Sequence, residues 1–151
     1  MSWSGRLAEL EIELPGVAAP VAAYVPAVRS GSQVFTSGQL PFVSGSLAAT
    51  GKVGGEVSPE EAKRHARTAM LNALAAVHDL VGIDAVRRVV KVTGYVASSD
   101  GFTGQPAVIN GASELLGEIF GDAGTHARAA VGVAELPLGA PVEVDLIVEV
   151  A

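Results

Sequence analysis

The segment Val142–Val150 constrains this chain more than any other. Val142, Val144, Leu146, Val148 and Val150 alternate with Glu143, Asp145, Ile147 and Glu149. A period of two puts five aliphatic side chains on one face of a strand and three acids on the other. The aliphatic face requires a covering layer, whereas the acidic face cannot be buried in an ordinary core. His126–Val133 reads as a neighbouring strand, with Ala129, Val131 and Val133 on one side and His126, Arg128, Ala130 and Gly132 on the other. Ala134–Pro141, with two prolines and a glycine, turns the chain between the two strands. One sheet face is therefore expected to meet helices. The second is expected to be mixed, carrying small residues, Arg128 and Glu143. Such a face is too apolar for water and too polar for a core, and assembly with pockets at the seams would reconcile the two.

The covering helices are legible. Ser58–Val81 begins with a capping serine, Pro59 at the first helical position and Glu61 completing a capping box. Ala62, Ala66, Ala69, Met70, Ala73, Leu74, Val77 and Val81 form one apolar stripe, with Lys63, Arg64 and Arg67 mostly off it. Gly82 stops the helix. Gln105–Phe120 predicts a second, weaker helix with Gly111 inside it, its apolar face made by Val108, Ala112, Leu115, Leu116 and Ile119. Tyr24–Val28 and Gln33–Ser37 read as a hairpin joined at Arg29-Ser30-Gly31-Ser32, with a further extended piece at Leu40–Val43. Val89–Val96 is a strand with Val90, Val92 and Val96 facing one way and Lys91, Thr93 and Tyr95 the other. The sum is one α+β domain over residues 1–151, with about six strands in a mixed sheet and two helices on one face.

Composition excludes several functions. Without cysteine there is no disulfide, thiolate nucleophile or cysteine-ligated zinc. A net charge of −6 argues against nucleic acid as a partner. The most apolar stretch, Val17–Val28, is broken by Pro20 and Pro26 and is shorter than the roughly 20 residues of a membrane span. Met1–Glu13 lacks the basic-then-apolar pattern of a signal peptide, so a cytoplasmic location is expected. Gly45–Gly55 is the most loop-like piece. It fails as a phosphate loop because five residues, not four, separate Gly45 from Gly51, and Val53 stands where a hydroxyl must reach the metal, so it reads as a flexible loop. His65, His78 and His126 show no metal-ligand spacing, and no metal site is expected. His65 and His78 flank the first helix's stripe, while His126 suits either a pocket wall or a structural role.

Arg128 and Glu143 stand out because each interrupts a small or aliphatic strand. An arginine there needs an anion, and its planar fork suits a carboxylate. From spacing alone, a structural ion pair with Glu143 or another acid at a subunit seam is the favoured account.

The residues from His126-Ala127-Arg128-Ala129-Ala130 through Glu135-Leu136-Pro137 to Val142-Glu143-Val144-Asp145 resemble the C-terminal signature of the RidA/YjgF family. Phe35-Thr36-Ser37-Gly38-Gln39-Leu40-Pro41 is similar to its Thr-Ser-Gly-Gln segment, Tyr24-Val25 to its early Tyr-Val, and Val108-Ile109-Asn110 to the asparagine of its second helix. The longer first loop, Ile109–Ser113 and Phe120-Gly121 resemble a longer YjgF-like, L-PSP endoribonuclease-like bacterial branch. The resemblance implies a chorismate-mutase-like fold and a homotrimeric barrel with clefts between subunits. It also implies hydrolysis of reactive enamines and imines of the 2-aminoacrylate type to 2-keto acids and ammonia, without metal or organic cofactor. On that reading Arg128 clamps the carboxylate of an imino or keto acid and Glu143 orients or deprotonates the attacking water, while Tyr24, Ser37, Gly38, Asn110, Ala129 and Ala130 line the cleft. Ala130 stands where many members carry cysteine, and His126-Ala127 replaces the common Pro-Ala. A non-catalytic binder of small carboxylates, a ribonuclease and, by fold analogy, a chorismate mutase are the competing functions.

Overall fold

A computed structural model describes residues 2–17 and 23–151. The elements are α1 (Trp3–Glu9), β1 (Ala27–Ser30), β2 (Gln33–Thr36), β3 (Phe42–Val43), β4 (Ser46–Leu47), α2 (Pro59–Val81), β5 (Val86–Ala97), α3 (Gln105–Phe120), β6 (Ala127–Val133) and β7 (Val142–Val150). Five strands form a mixed sheet in the order β1-β2-β7-β5-β6, and β3 pairs only with β4. All pairings in the large sheet are antiparallel except β5–β6. A parallel pair needs a crossover, and α3 supplies it.

The alternation of β7 holds throughout: its five aliphatic residues are buried and the four between them are half-buried. Helices α2 and α3 cover the aliphatic face. In α2 the buried stripe runs through Ala62, Ala66, Ala69, Met70, Ala73, Leu74 and Val77. The Ser58 hydroxyl accepts the Glu61 N–H at 3.2 Å, while the Glu61 carboxylate turns to His65 at 3.6 Å. Gly111, which weakens α3 as a sequence, tightens it as a structure. A Cβ there would overlap the Lys63 carbonyl, so glycine lets α3 lie close against α2. Gly94 of β5 does the same beneath Ile109 of α3.

The structure departs from the sequence reading in several places, beginning with the hairpin, whose first strand is Ala27–Ser30 rather than Tyr24–Val28 and whose turn lies beyond Ser30. Trp3–Glu9 is a third helix, capped by Ser2 and held to the 83–86 corner by Trp3 Nε1–H to the Val86 carbonyl (2.7 Å) and Ser4 Oγ–H to Asp84 (2.7 Å). In β5 a bulge between Val89 and Lys91 shifts the alternation, so Val89 rather than Val90 enters the core. The Gly45–Gly55 segment is anchored instead of loose. It contains β4, buries Val53, and is tied down by Gly51 N–H to Gly139 O (2.9 Å), Val53 N–H to Ala97 O (2.7 Å) and a Lys52–Glu135 ion pair (3.2 Å). The extended piece at Leu40–Val43 narrows to β3, outside the large sheet. The apolar stretch Val17–Val28 lies partly outside the described residues, among which no helix is long and apolar enough to cross a membrane.

Candidate functional site

The fold sorts the candidate residues into two groups on opposite faces of the sheet. This corrects the expectation that Arg128 and Glu143 share the mixed face. In the parallel register Arg128 lies beside Val92, a core residue, so its side chain leaves β6 on the helix side. Glu143 lies beside Tyr95 on β7 and β5 and faces the open side. Residues on both sides of β6 are small, so alternation alone could not orient that strand. The pairing with β5 does.

On the helix side, the Arg128 guanidinium reaches α3. Its Nη1 donates to Asn110 Oδ1 (2.7 Å) and to Ser113 Oγ (3.2 Å), and Nη2 donates to the Pro106 carbonyl (3.3 Å). Residues 106, 110 and 113 are four and three apart, hence on one helical face. Ser113 also lies 2.9 Å from His126 Nε2, and His126 Nδ1 lies 2.6 Å from the Gly124 carbonyl. Among the described residues, every partner of Arg128 is a neutral acceptor and no carboxylate pairs with it. Within one chain Arg128 and Glu143 do not pair, and an ion pair across a subunit seam is a property of the assembly. Three acceptors orient the cation without neutralising it. Ala130 shares this side, packed against the core beside Gly94.

On the open side, Glu143 lies over Gly38, where a Cβ would overlap its carboxylate. The segment around Gly38 is held to β7 by reciprocal Gln39–Val144 hydrogen bonds of 2.7 and 3.1 Å. Ser37 donates its N–H to Pro26 O (2.8 Å) and its hydroxyl to Val25 O (2.6 Å), which tethers the segment following Tyr24. The Ser37 proton is thus committed to backbone. Ala129 faces this side too, across from Thr93. Burial raises the Glu143 carboxyl above the usual range, and the charge of Asp145 adds to the effect. Burial also raises Asp145, opposed by hydrogen bonds from Tyr95 and Thr93 and by Lys91. The Tyr95 hydroxyl donates to Asp145 at 3.1 Å.

Sequence reasoning missed Ser113 and Tyr95 and left His126 undecided. The Pro106–Asn110–Ser113 spacing was the available signal for Ser113. A cavity of about 880 Å³ lies elsewhere, between α2, the β3–β4 hairpin and Glu13–Val17. Its walls include Phe42, Leu71, Asn72 and Leu138 and no basic residue. Both Asn72 amide protons are taken by the Leu40 and Phe42 carbonyls, so Asn72 has no proton left for an anion.

A sequence model of the family described as "YjgF/chorismate_mutase-like, putative endoribonuclease" matches residues 4–150. Protein TCP17 of Trypanosoma cruzi is 45% identical over 152 residues, covering 97% of this chain and 95% of that protein. The solved structure of Atu1372 from Agrobacterium tumefaciens, a protein of unknown function, is 46% identical with a TM-score of 0.90, covering 99% of this chain and 92% of that one. A "putative endoribonuclease" of Shewanella oneidensis is 33% identical with a TM-score of 0.95, covering 99% of this chain and all of that one.

Proposed function

The chain belongs to the YjgF/chorismate mutase-like family, and on that premise we propose that it hydrolyses reactive 2-imino acids of the 2-aminoacrylate type to 2-keto acids and ammonia. One observation carries the reading: a half-buried arginine oriented by three neutral acceptors, with no carboxylate partner among the described residues. Such a cation is built for an anion that arrives from outside. Two parallel hydrogen bonds from a guanidinium fix a carboxylate and with it the adjacent imine carbon. Water then adds to that carbon, and Glu143 takes the proton released. The raised affinity of Glu143 for a proton suits it to this exchange. Glu143 passes that proton to the imine nitrogen, which completes the carbinolamine; as this collapses, its hydroxyl proton travels by way of Glu143 to the nitrogen, the C–N bond breaks, and ammonia departs from the new carbonyl. Backbone groups near Arg128 hold the departing nitrogen, and no metal or organic cofactor enters the scheme.

Arg128 and Glu143 lie on opposite faces of one sheet, so a single chain cannot bring them to one substrate. We infer that the site forms between copies in a homotrimer. Two features support this. The open face exposes Val28 (53%), Phe35 (40%) and Val131 (44%), apolar surface that association would cover. Strand β6, which carries Arg128, is a sheet edge that another copy can approach. The acids Glu143, Asp145 and Glu149 on the open face count against RNA cleavage there.

The test generates 2-imino acids in situ with an amino-acid oxidase and times keto-acid release. Wild type is expected to accelerate release and Arg128→Ala to lose the acceleration, by about 100-fold or more. Equal rates for the two proteins would remove Arg128 from the site. No acceleration by wild type, together with Arg128-dependent binding of pyruvate, would leave a non-catalytic carboxylate binder.

A further inference from the structure

The hydrogen bonds behind Arg128 have a direction, and the direction can be read. A carbonyl only accepts, so at 2.6 Å from the Gly124 oxygen His126 Nδ1 carries the proton. In the neutral ring Nε2 is then a lone pair, and the Ser113 hydroxyl 2.9 Å away is placed to donate to it. With its proton spent, Ser113 Oγ turns a lone pair to Arg128 Nη1 at 3.2 Å. Asn110 Oδ1 takes the second Nη1 proton at 2.7 Å. Both ends of this relay rest on α3. Gly124 packs so tightly on that helix that a Cβ would overlap the Leu116 carbonyl, which fixes the Gly124 oxygen toward His126.

We propose that Ser113 and His126 are positioning residues for Arg128. With Asn110 and Ser113 on Nη1 and the Pro106 carbonyl on one Nη2 proton, the guanidinium plane is locked, and the Nε–Nη2 edge keeps Nε–H and the other Nη2 proton for a carboxylate. The proposal rests on the reading of Arg128 as a carboxylate clamp. Neither residue touches substrate. The Ser113 hydroxyl is committed on both sides and is not presented as a nucleophile. Without the relay the guanidinium would rest on Asn110 at Nη1 and the longer bond from Nη2 to the Pro106 carbonyl, and Ser113 supplies the second fixed point on Nη1. His126 in turn sets the Ser113 proton, without which Ser113 could point that proton at the cation.

Two measurements separate this proposal from the clamp itself. Arginine side-chain NMR of the unliganded protein reads whether the guanidinium rotates: Arg128 in wild type is expected to show separate Nη signals. Titration with pyruvate reads the clamp. Ser113→Ala is expected to average the Nη signals and weaken pyruvate about tenfold, the loss of roughly one charge-assisted hydrogen bond. His126→Ala is expected to weaken pyruvate about threefold, because Ser113 survives but can turn. Ser113→Thr keeps the hydroxyl and restores both readouts, which a purely packing role for Ser113 would not require. Wild-type pyruvate affinity in Ser113→Ala overturns the positioning role whatever the NMR shows. Wild-type affinity in Arg128→Ala overturns the clamp, and the proposal falls with it.

Discussion

The two halves of the candidate site are built differently. Around Arg128 everything is finished within one chain: three acceptors, a relay and a packed helix fix one cation. Around Glu143 nothing is finished. The carboxylate lies half-buried over Gly38 beside another acid, and no cation among the described residues pairs with it. One half is preorganised and the other waits. A preorganised cation costs little to use, since its orientational entropy is lost on folding and not on binding. An unpaired half-buried acid costs stability in the free chain, and a catalytic role or a docked partner would account for it.

The largest test of that contrast mixes two inactive proteins. Arg128→Ala and Glu143→Gln are each expected to lower imine hydrolysis by about 100-fold or more. If the halves come from different copies, co-refolding the two variants puts an intact arginine against an intact glutamate at some interfaces. For a ring of three from an equal mixture, about a quarter of wild-type activity should return. Recovery of nothing would mean that both residues serve one site from one chain, contrary to their placement on opposite faces.

How much of this was legible beforehand follows from where local pattern decides structure. The faces of β7, the stripe of α2 and the limits of α3 were readable because period and caps are local. The face of Arg128 was not, because β6 is small-residued on both sides and its orientation comes from parallel pairing with β5, 36 residues upstream. The shift at Val89 depends on a bulge that no local signal marks. Gly45–Gly55 looked loose because it is rich in glycine. Its order comes from contacts with Ala97, Glu135 and Gly139, far along the chain. Gly38 belongs to the cleft by resemblance alone, and the structure adds a physical reason: a Cβ there would overlap the Glu143 carboxylate where it lies.

That room gives the intermediate test. Gly38→Ala adds one methyl group where the carboxylate lies, and the carboxylate must move. Displacement by an ångström or so is expected to lower kcat by about tenfold or more. KM should change little, since Arg128 is untouched. A rise in KM at constant kcat would instead place Gly38 against the substrate, and the waiting half would be a binding surface.

The smallest expected effect concerns stability, and its sign tells whether the waiting half has found a partner. Burial, then the charge of Asp145, holds the folded carboxyl of Glu143 above its ordinary value. A raised carboxyl binds its proton more tightly in the folded chain than in the unfolded one. Its contribution is therefore favourable in acid and is lost as pH rises from the ordinary carboxylate range through the folded value. Glu143→Gln removes that loss. The variant should melt higher than wild type at pH 7, on the order of 1–2 °C because a half-buried charge is partly screened. The difference should close at about pH 4, where wild type is largely protonated as well. Melting curves at both pH values over a range of protein concentration supply the comparison. A variant that melts lower at pH 7, and only at concentrations where the chain associates, would show that another copy brings a cation to Glu143. The acid that one chain leaves unpaired would then be a recognition element of the assembly as well as a base.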